Sequence, residues 1–109
     1  MAQTFKSAAS GSTTSIQTLY TCPGSTTSVV HAMYLSNVDG TNDATVDAEI
    51  VDDGGSEQAY IAYELAVPAD TTVELAGTSK LVLEAGDTLK LKASAASDLE
   101  AFISVLQID

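Results

Sequence analysis

Short alternating or wholly apolar runs recur along this chain at intervals of about ten residues, separated by turns rich in Gly, Pro, Asp, Ser and Thr. That spacing leaves room for strands and none for long amphipathic helices, so it specifies a small all-β protein. The strands expected are Gln3–Ala8, Ile16–Cys22, Thr27–Ser36, Ala44–Val51, Glu57–Val67, Thr71–Ala76, a divided seventh from Lys80 to Glu84 and Thr88 to Ala95, and Glu100–Ile108. Pro23-Gly24 stops the second and Pro68 the fifth, because proline cannot donate to a strand ladder. Asp52-Asp53-Gly54-Gly55 forms a hairpin-like turn. The seventh strand bends at Glu84-Ala85-Gly86-Asp87, and its two halves look like a hairpin. Ala93 to Glu100 is the one helix-like stretch, too short and too Ser-rich to form one.

Side-chain alternation assigns the faces. Val46, Ala48 and Ile50 face inward on the fourth strand, with Asp47 and Glu49 outward. On the fifth, Ile61, Tyr63, Leu65 and Val67 share one face, and Tyr60, Ala62 and Glu64 the other. Val73 and Leu75 point in on the sixth; Leu89, Leu91 and Ala93 point in on the seventh, with Lys90 and Lys92 out. The expected architecture is a two-sheet antiparallel β-sandwich of about eight strands in one domain, residues 1–109, either jelly-roll or immunoglobulin-like. The pattern does not choose between these two topologies.

Two strands are apolar on both faces. The eighth carries Ala101, Ile103 and Val105 on one side and Phe102, Leu106 and Ile108 on the other; the third sets Val30, Ala32 and Tyr34 opposite Val29, Met33 and Leu35. A sandwich has one dry interior, so the second face meets water or a neighbour, and exposed patches of this kind mark contact surfaces. Val29, Met33, Leu35, Phe102, Leu106 and Ile108 are therefore the expected interface, in a homo-oligomer or against a larger assembly.

The charge is one-sided. Fifteen acidic residues against four lysines give a net charge of −11, with no arginine. Phosphate-backbone binding needs clustered Lys and Arg, so a nucleic-acid partner is excluded and an anionic membrane is disfavoured. Cys22 is the one cysteine, so no internal disulfide forms and it is expected to be a small, semi-buried hydrophobe. Met1 to Lys6 lacks a signal-peptide stretch, and no run reaches transmembrane length.

Candidate chemistry is sparse. Asp39, Thr41, Asn42, Asp43 and Asp47 gather oxygens as a calcium loop would, but their spacing departs from the EF-hand pattern and reads as a solvated turn. Glycoside hydrolysis needs two carboxylates across a cleft, and with no Trp and four Tyr a sugar-stacking cleft is thinly supplied. His31 alone is a structural or interface residue, and Lys90 and Lys92 are solvated partners of nearby acids. No nucleophile elbow, zinc motif, CxxC or phosphate loop is present. The expectation is a non-enzymatic protein with no catalytic residues, no cofactor and no metal.

The stretch Leu19 to Asn37, LYTCPGSTTSVVHAMYLSN, resembles a pattern in small virion proteins of tailed bacteriophages: a strand reading roughly L-Y-T-x-P, a Gly/Thr turn, then an apolar strand ending in a loop that begins with Asn. Thr72 to Leu91, TVELAGTSKLVLEAGDTLKL, is similar to the closing half of the same family, where L-x-L-E-x-G-D-x-L recurs. Cys22 departs from the small or branched apolar residue of that pattern. The resemblance implies a β-sandwich structural protein of the particle, of the kind used as capsid decoration (cement), neck or tail adaptor, or fibre module. Acidity and surplus apolar faces point to an outer-surface decoration protein, a trimer for preference, clamping neighbouring major capsid proteins. Such a protein is made in the host cytoplasm and resides in the virion. The alternatives are a neck, tail or fibre module of the same virion, and a carbohydrate- or receptor-binding module outside one.

Overall fold

In the computed structural model, which describes residues 3–11, 14–53, 55, 58–76, 80–94 and 98–109, the alternating runs become strands: β1 (Gln3–Gly11), β2 (Gln17–Thr21), β3 (Thr27–Asn37), β4 (Ala44–Val51), β5 (Gln58–Val67), β6 (Thr72–Glu74), β7 (Leu81–Leu83), β8 (Thr88–Ala93) and β9 (Leu99–Ile108). They form two antiparallel sheets. One is ordered β1-β9-β3-β6, with β7 also on β3; the other is β2-β8-β4-β5.

The pairing is nested: β1 with β9, β2 with β8, β3 with β6 and β7, β4 with β5. This is one long antiparallel hairpin rolled up, the jelly roll, and it settles the topology that alternation left open. An immunoglobulin-like sandwich would instead pair its first strand with its second and its last with the one before it.

The divided seventh strand is corrected. Its halves are β7 and β8, which lie in opposite sheets, so the Glu84–Asp87 turn is a crossing and not a hairpin. Gly86 takes φ +88° there, a left-handed conformation open to glycine, and a Cβ on it would stand 2.5 Å from Asp53 Cγ. Asp87, nearly buried, accepts from Glu84 N at 2.9 Å and from Asp53 N at 3.2 Å, joining this turn to the one after β4. The helix-like stretch is also resolved in part: β8 ends at Ala93 and β9 begins at Leu99, while 95–97 lie outside the described residues.

The interior is aliphatic. Val30, Met33, Leu35, Val46, Val67, Leu83, Leu89, Leu91, Leu99, Ile103 and Val105 are wholly enclosed between the sheets. Each such side chain contributes about 1.5–3 kcal/mol relative to exposure, and side chains from the two inner faces interdigitate in the thin gap of a sandwich. Alternation read correctly on β4, β8 and β9. It fails on β3, where the register to β9 shifts between Val30 and Ala32 and His31 becomes an extra residue. Beyond that bulge the parity reverses. Val30 points in before it; Met33 and Leu35 point in after it.

A polar bridge closes one end of the sandwich. Gln107 Nε2 donates to Tyr20 Oη at 2.6 Å, Tyr20 Oη and Ser28 Oγ lie 2.7 Å apart, and Ser28 Oγ lies 3.1 Å from Cys22 Sγ. The chain of bonds runs from β9 across to β2 and back to β3. At the other end the enclosed Asn37 side chain donates to Asn42 O and Val67 O, at 3.0 and 2.9 Å, and accepts from Asp39 N at 2.9 Å.

Candidate functional site

Each sheet has an outer face, and the two differ in character. On the five-stranded sheet the register aligns Phe5 with Leu106, Leu106 with Val29, and Val29 with Val82. These four side chains form an apolar row across β1, β9, β3 and β7. Phe5 is 74% exposed and Val82 59%, with Leu106 and Val29 half-buried between them. Phe102 and Tyr34, register partners further along, are also exposed. The His31 ring meets Phe5 edge-on with centroids 6.0 Å apart, and its Nε2 is buried without a hydrogen-bond partner.

Of the six residues expected at an interface, Val29, Phe102, Leu106 and Ile108 face outward from this sheet. Met33 and Leu35 do not: at 0% and 1% exposure they belong to the interior and are corrected accordingly. The bulge at His31 is the cause, since it exchanges inward and outward positions within β3. Phe5 and Val82 were missed. The signal for Val82 was present, because three consecutive apolar residues, Leu81 to Leu83, cannot all face one interior.

The outer face of the four-stranded sheet is built around β5, which carries two irregularities against β4. Val46 opposes Leu65 and Ala48 opposes Ala62, so Tyr63 and Glu64 together face Asp47 alone; Ile61 is a second extra residue between Ala62 and Tyr60. Glu64 adopts φ +50°, a costly conformation for a side-chain-bearing residue, and its N–H is taken up by Asp47 Oδ1 at 2.7 Å. The bulges bring Tyr60 and Tyr63 together, with ring centroids 4.9 Å apart and planes at 69°. The expected faces of the fifth strand are thereby corrected: Tyr63 is exposed beside Tyr60, while Ile61, Ala62 and Leu65 pack against the core.

Glu49 lies at the centre of this face, with Tyr60 as its register partner on β5 and Lys90 on β8. It points away from the interior, as alternation predicts, yet only 2% of it is exposed and neither carboxylate oxygen has a hydrogen-bond partner. Ile16, Asp47, Glu49, Tyr60, Lys90, Leu91 and Lys92 line a shallow pocket of about 70 Å³ that opens to solvent. The negative charge of Glu49 raises the Tyr60 phenol above its ordinary value, with smaller contributions from desolvation, Asp47 and Tyr63.

The loop acids have separate tasks. Asp39 accepts from Thr41 N, Asn42 N and Asn42 Nδ2, which holds its carboxyl below the ordinary value; Asp43 Oδ1 accepts from Ala69 N at 3.0 Å. Each carboxylate accepts backbone N–H donors, and Asp39 the Asn42 side chain as well, the behaviour of a structured turn. Cys22 is enclosed, its thiol directed at Thr26 O and Leu83 O at 3.3 and 3.5 Å.

No protein-family model matches the chain, and no curated protein matches it in sequence. Solved structures share the fold. The Drosophila NLP core, described for pentamer formation and histone binding, is similar with a TM-score of 0.56 and 15% identity, over 96% of this chain and 98% of that one. A chain of the capsid of Helicobacter pylori bacteriophage KHP30 has a TM-score of 0.54 at 10% identity, over 100% and 94%. A chain of the disulfide-linked pili formed by Bacillus endospore appendages has 0.52 at 16%, over 97% and 85%. At these identities the likeness is one of fold.

Proposed function

We propose that this chain is a non-enzymatic structural protein of a virion, an outer-surface decoration protein of a tailed-phage capsid that holds neighbouring major capsid proteins together. The observation that carries the reading is the apolar row Phe5–Leu106–Val29–Val82 on the outer face of a complete sandwich. The core is already closed by other residues, so this row has no internal use, and covering it removes apolar surface from water. The fold shared with a phage capsid chain supports the setting, and the other similar structures, a pentamer and a pilus, support self-association of this fold. Self-association places copies of the row against one another, or against the shell, in a homo-oligomer for which three copies is the first expectation. Many weak contacts across a shell then add by avidity, and no chemical turnover is involved.

Two measurements test this. Quantitative gels of purified particles should count hundreds of copies for decoration, against about a dozen for a neck or fibre module set by ring symmetry. Sedimentation of the purified chain should show an oligomer that Phe5→Asp and Leu106→Asp convert to folded monomer. An unchanged sedimentation profile in both variants, or absence of the chain from particles, defeats the proposal.

A further inference from the structure

The pocket over Glu49 is on the sheet opposite the apolar row, and nothing in the proposed structural role uses it. A carboxylate at 2% exposure with both oxygens unpartnered is a costly arrangement, because a buried acceptor without a donor keeps its full desolvation penalty. Something that donates hydrogen bonds relieves that cost. The wall around it is mixed in sign: Asp47 and Glu49 against Lys90 and Lys92. A bare anion would meet two carboxylates and a bare cation two ammonium groups, whereas a neutral ligand with many hydroxyls satisfies both, since each hydroxyl donates and accepts. Beside the wall stand Ile16 and two exposed tyrosine rings, apolar surface that pairs with the C–H faces of a ring.

We propose that this pocket binds a sugar residue of a glycan, with Glu49 accepting from its hydroxyls, Lys90 and Lys92 donating to them, and Tyr60 and Tyr63 covering its apolar face. The site occupies a few polar groups converging beside an apolar surface, the usual composition of a small-molecule site. Four tyrosines supply little aromatic surface to the whole chain, but the two bulges of β5 concentrate half of them here. The opposite sheet remains free to dock, so one molecule can be held on one side and touch a glycan on the other.

The test is a ¹H–¹⁵N titration of the purified protein with methyl glycosides of glucose, galactose, mannose, N-acetylglucosamine and N-acetylgalactosamine, with N-acetyl-arginine amide as a cationic probe. At least one glycoside should give saturable shifts confined to β4, β5 and β8, with a Kd on the order of 1–10 mM, ordinary for a single shallow contact. Glu49→Gln and, independently, Tyr63→Ala should each weaken it about tenfold or more, while Phe5→Asp on the other sheet leaves it unchanged. Tyr63 is exposed, so its variant reports on binding even where Glu49→Gln perturbs folding. Absence of saturable shifts with every glycoside overturns the proposal, as does wild-type affinity in both variants. Binding of the arginine amide alone, lost in Glu49→Gln, also overturns it and makes the pocket an anchor for a basic side chain.

Discussion

Glu74 Oε2 accepts the Met33 backbone N–H at 2.8 Å, in the stretch of β3 that lies between its segments paired with β7 and with β6. β7 pairs with Ser28 to Val30 and β6 with Tyr34 to Ser36. Between them Lys80 Nζ donates to His31 O at 3.1 Å and Leu75 N donates to Met33 O at 2.9 Å. Among the described residues, two side chains and one backbone N–H thus bond β3 across the bulge that decides which of its residues are core. Glu74→Ala leaves Met33 N–H without its acceptor and should destabilise by about 1–2 kcal/mol in urea unfolding, while Glu74→Gln, which keeps an oxygen there, should cost less than half as much. Equal losses would show that the acceptor is immaterial.

The two turn glycines should respond differently to a methyl group. Gly86→Ala meets both a φ of +88° and Asp53 Cγ at 2.5 Å. It should lower stability by about 1–3 kcal/mol. Gly24 has open space around its Cβ position, so Gly24→Ala should lie within about 0.5 kcal/mol of wild type. Thermal unfolding of the pair checks both.

Asn37 holds the β3–β4 loop through two donated bonds and one accepted bond, all from an enclosed side chain. Asn37→Ala strands Val67 O and Asn42 O and should cost about 2–3 kcal/mol. Asn37→Asp is expected to be worse at neutral pH, because it turns an oxygen toward two carbonyl oxygens. A ranking of Asp above Ala in chemical denaturation would contradict this.

Asp39 makes the same loop sensitive to acid. Its carboxyl is held below the ordinary 3.8 by the Thr41 N–H first, then by the Asn42 side chain and N–H. A depressed folded value means that the contribution is complete above 3.8 and is lost as pH falls through the folded value. The Asp39→Asn loop should therefore match wild type in strong acid and be less ordered than wild type at neutral pH. Amide shifts of Thr41 and Asn42 followed against pH report it directly.

Tyr60 offers a readout of Glu49 that needs no ligand. The Glu49 charge is the largest cause of the raised phenol, so Glu49→Gln should bring Tyr60 down toward 10.0, while Lys6→Gln on the other sheet should leave it in place. Phenolate absorbance during alkaline titration measures the shift. An unmoved Tyr60 in Glu49→Gln would mean that the carboxylate and the ring are not neighbours.

Alternation was enough to place the faces of β4 and β9, where Val46, Ala48, Ala101, Ile103 and Val105 lie in the interior. It failed on β3 and β5 for one reason: a bulge adds a single residue, changes no composition, and exchanges the faces beyond it. Met33 and Tyr63 both moved sides this way. The crossing between β7 and β8 was illegible because a Gly-Asp turn reads alike whether the next strand pairs with the last or joins the other sheet. Four of the six expected contact residues lie outside because β9 has no bulge and Val29 precedes the one in β3. Glu49 occupies an ordinary outward position in the sequence; only its two cross-strand neighbours, distant in the chain, make it a covered carboxylate.

The nested pairing carries a kinetic consequence. Gln3 meets Ile108, and Phe5 meets Leu106, so the outermost ladder of the roll closes a loop that includes nearly every other residue. Such distant partners reward the chain only after most of its entropy is surrendered, which puts folding in the range of about milliseconds to seconds and not microseconds. Until that ladder zips, β9 presents an unsatisfied edge to its surroundings, a ready template for pairing with another chain.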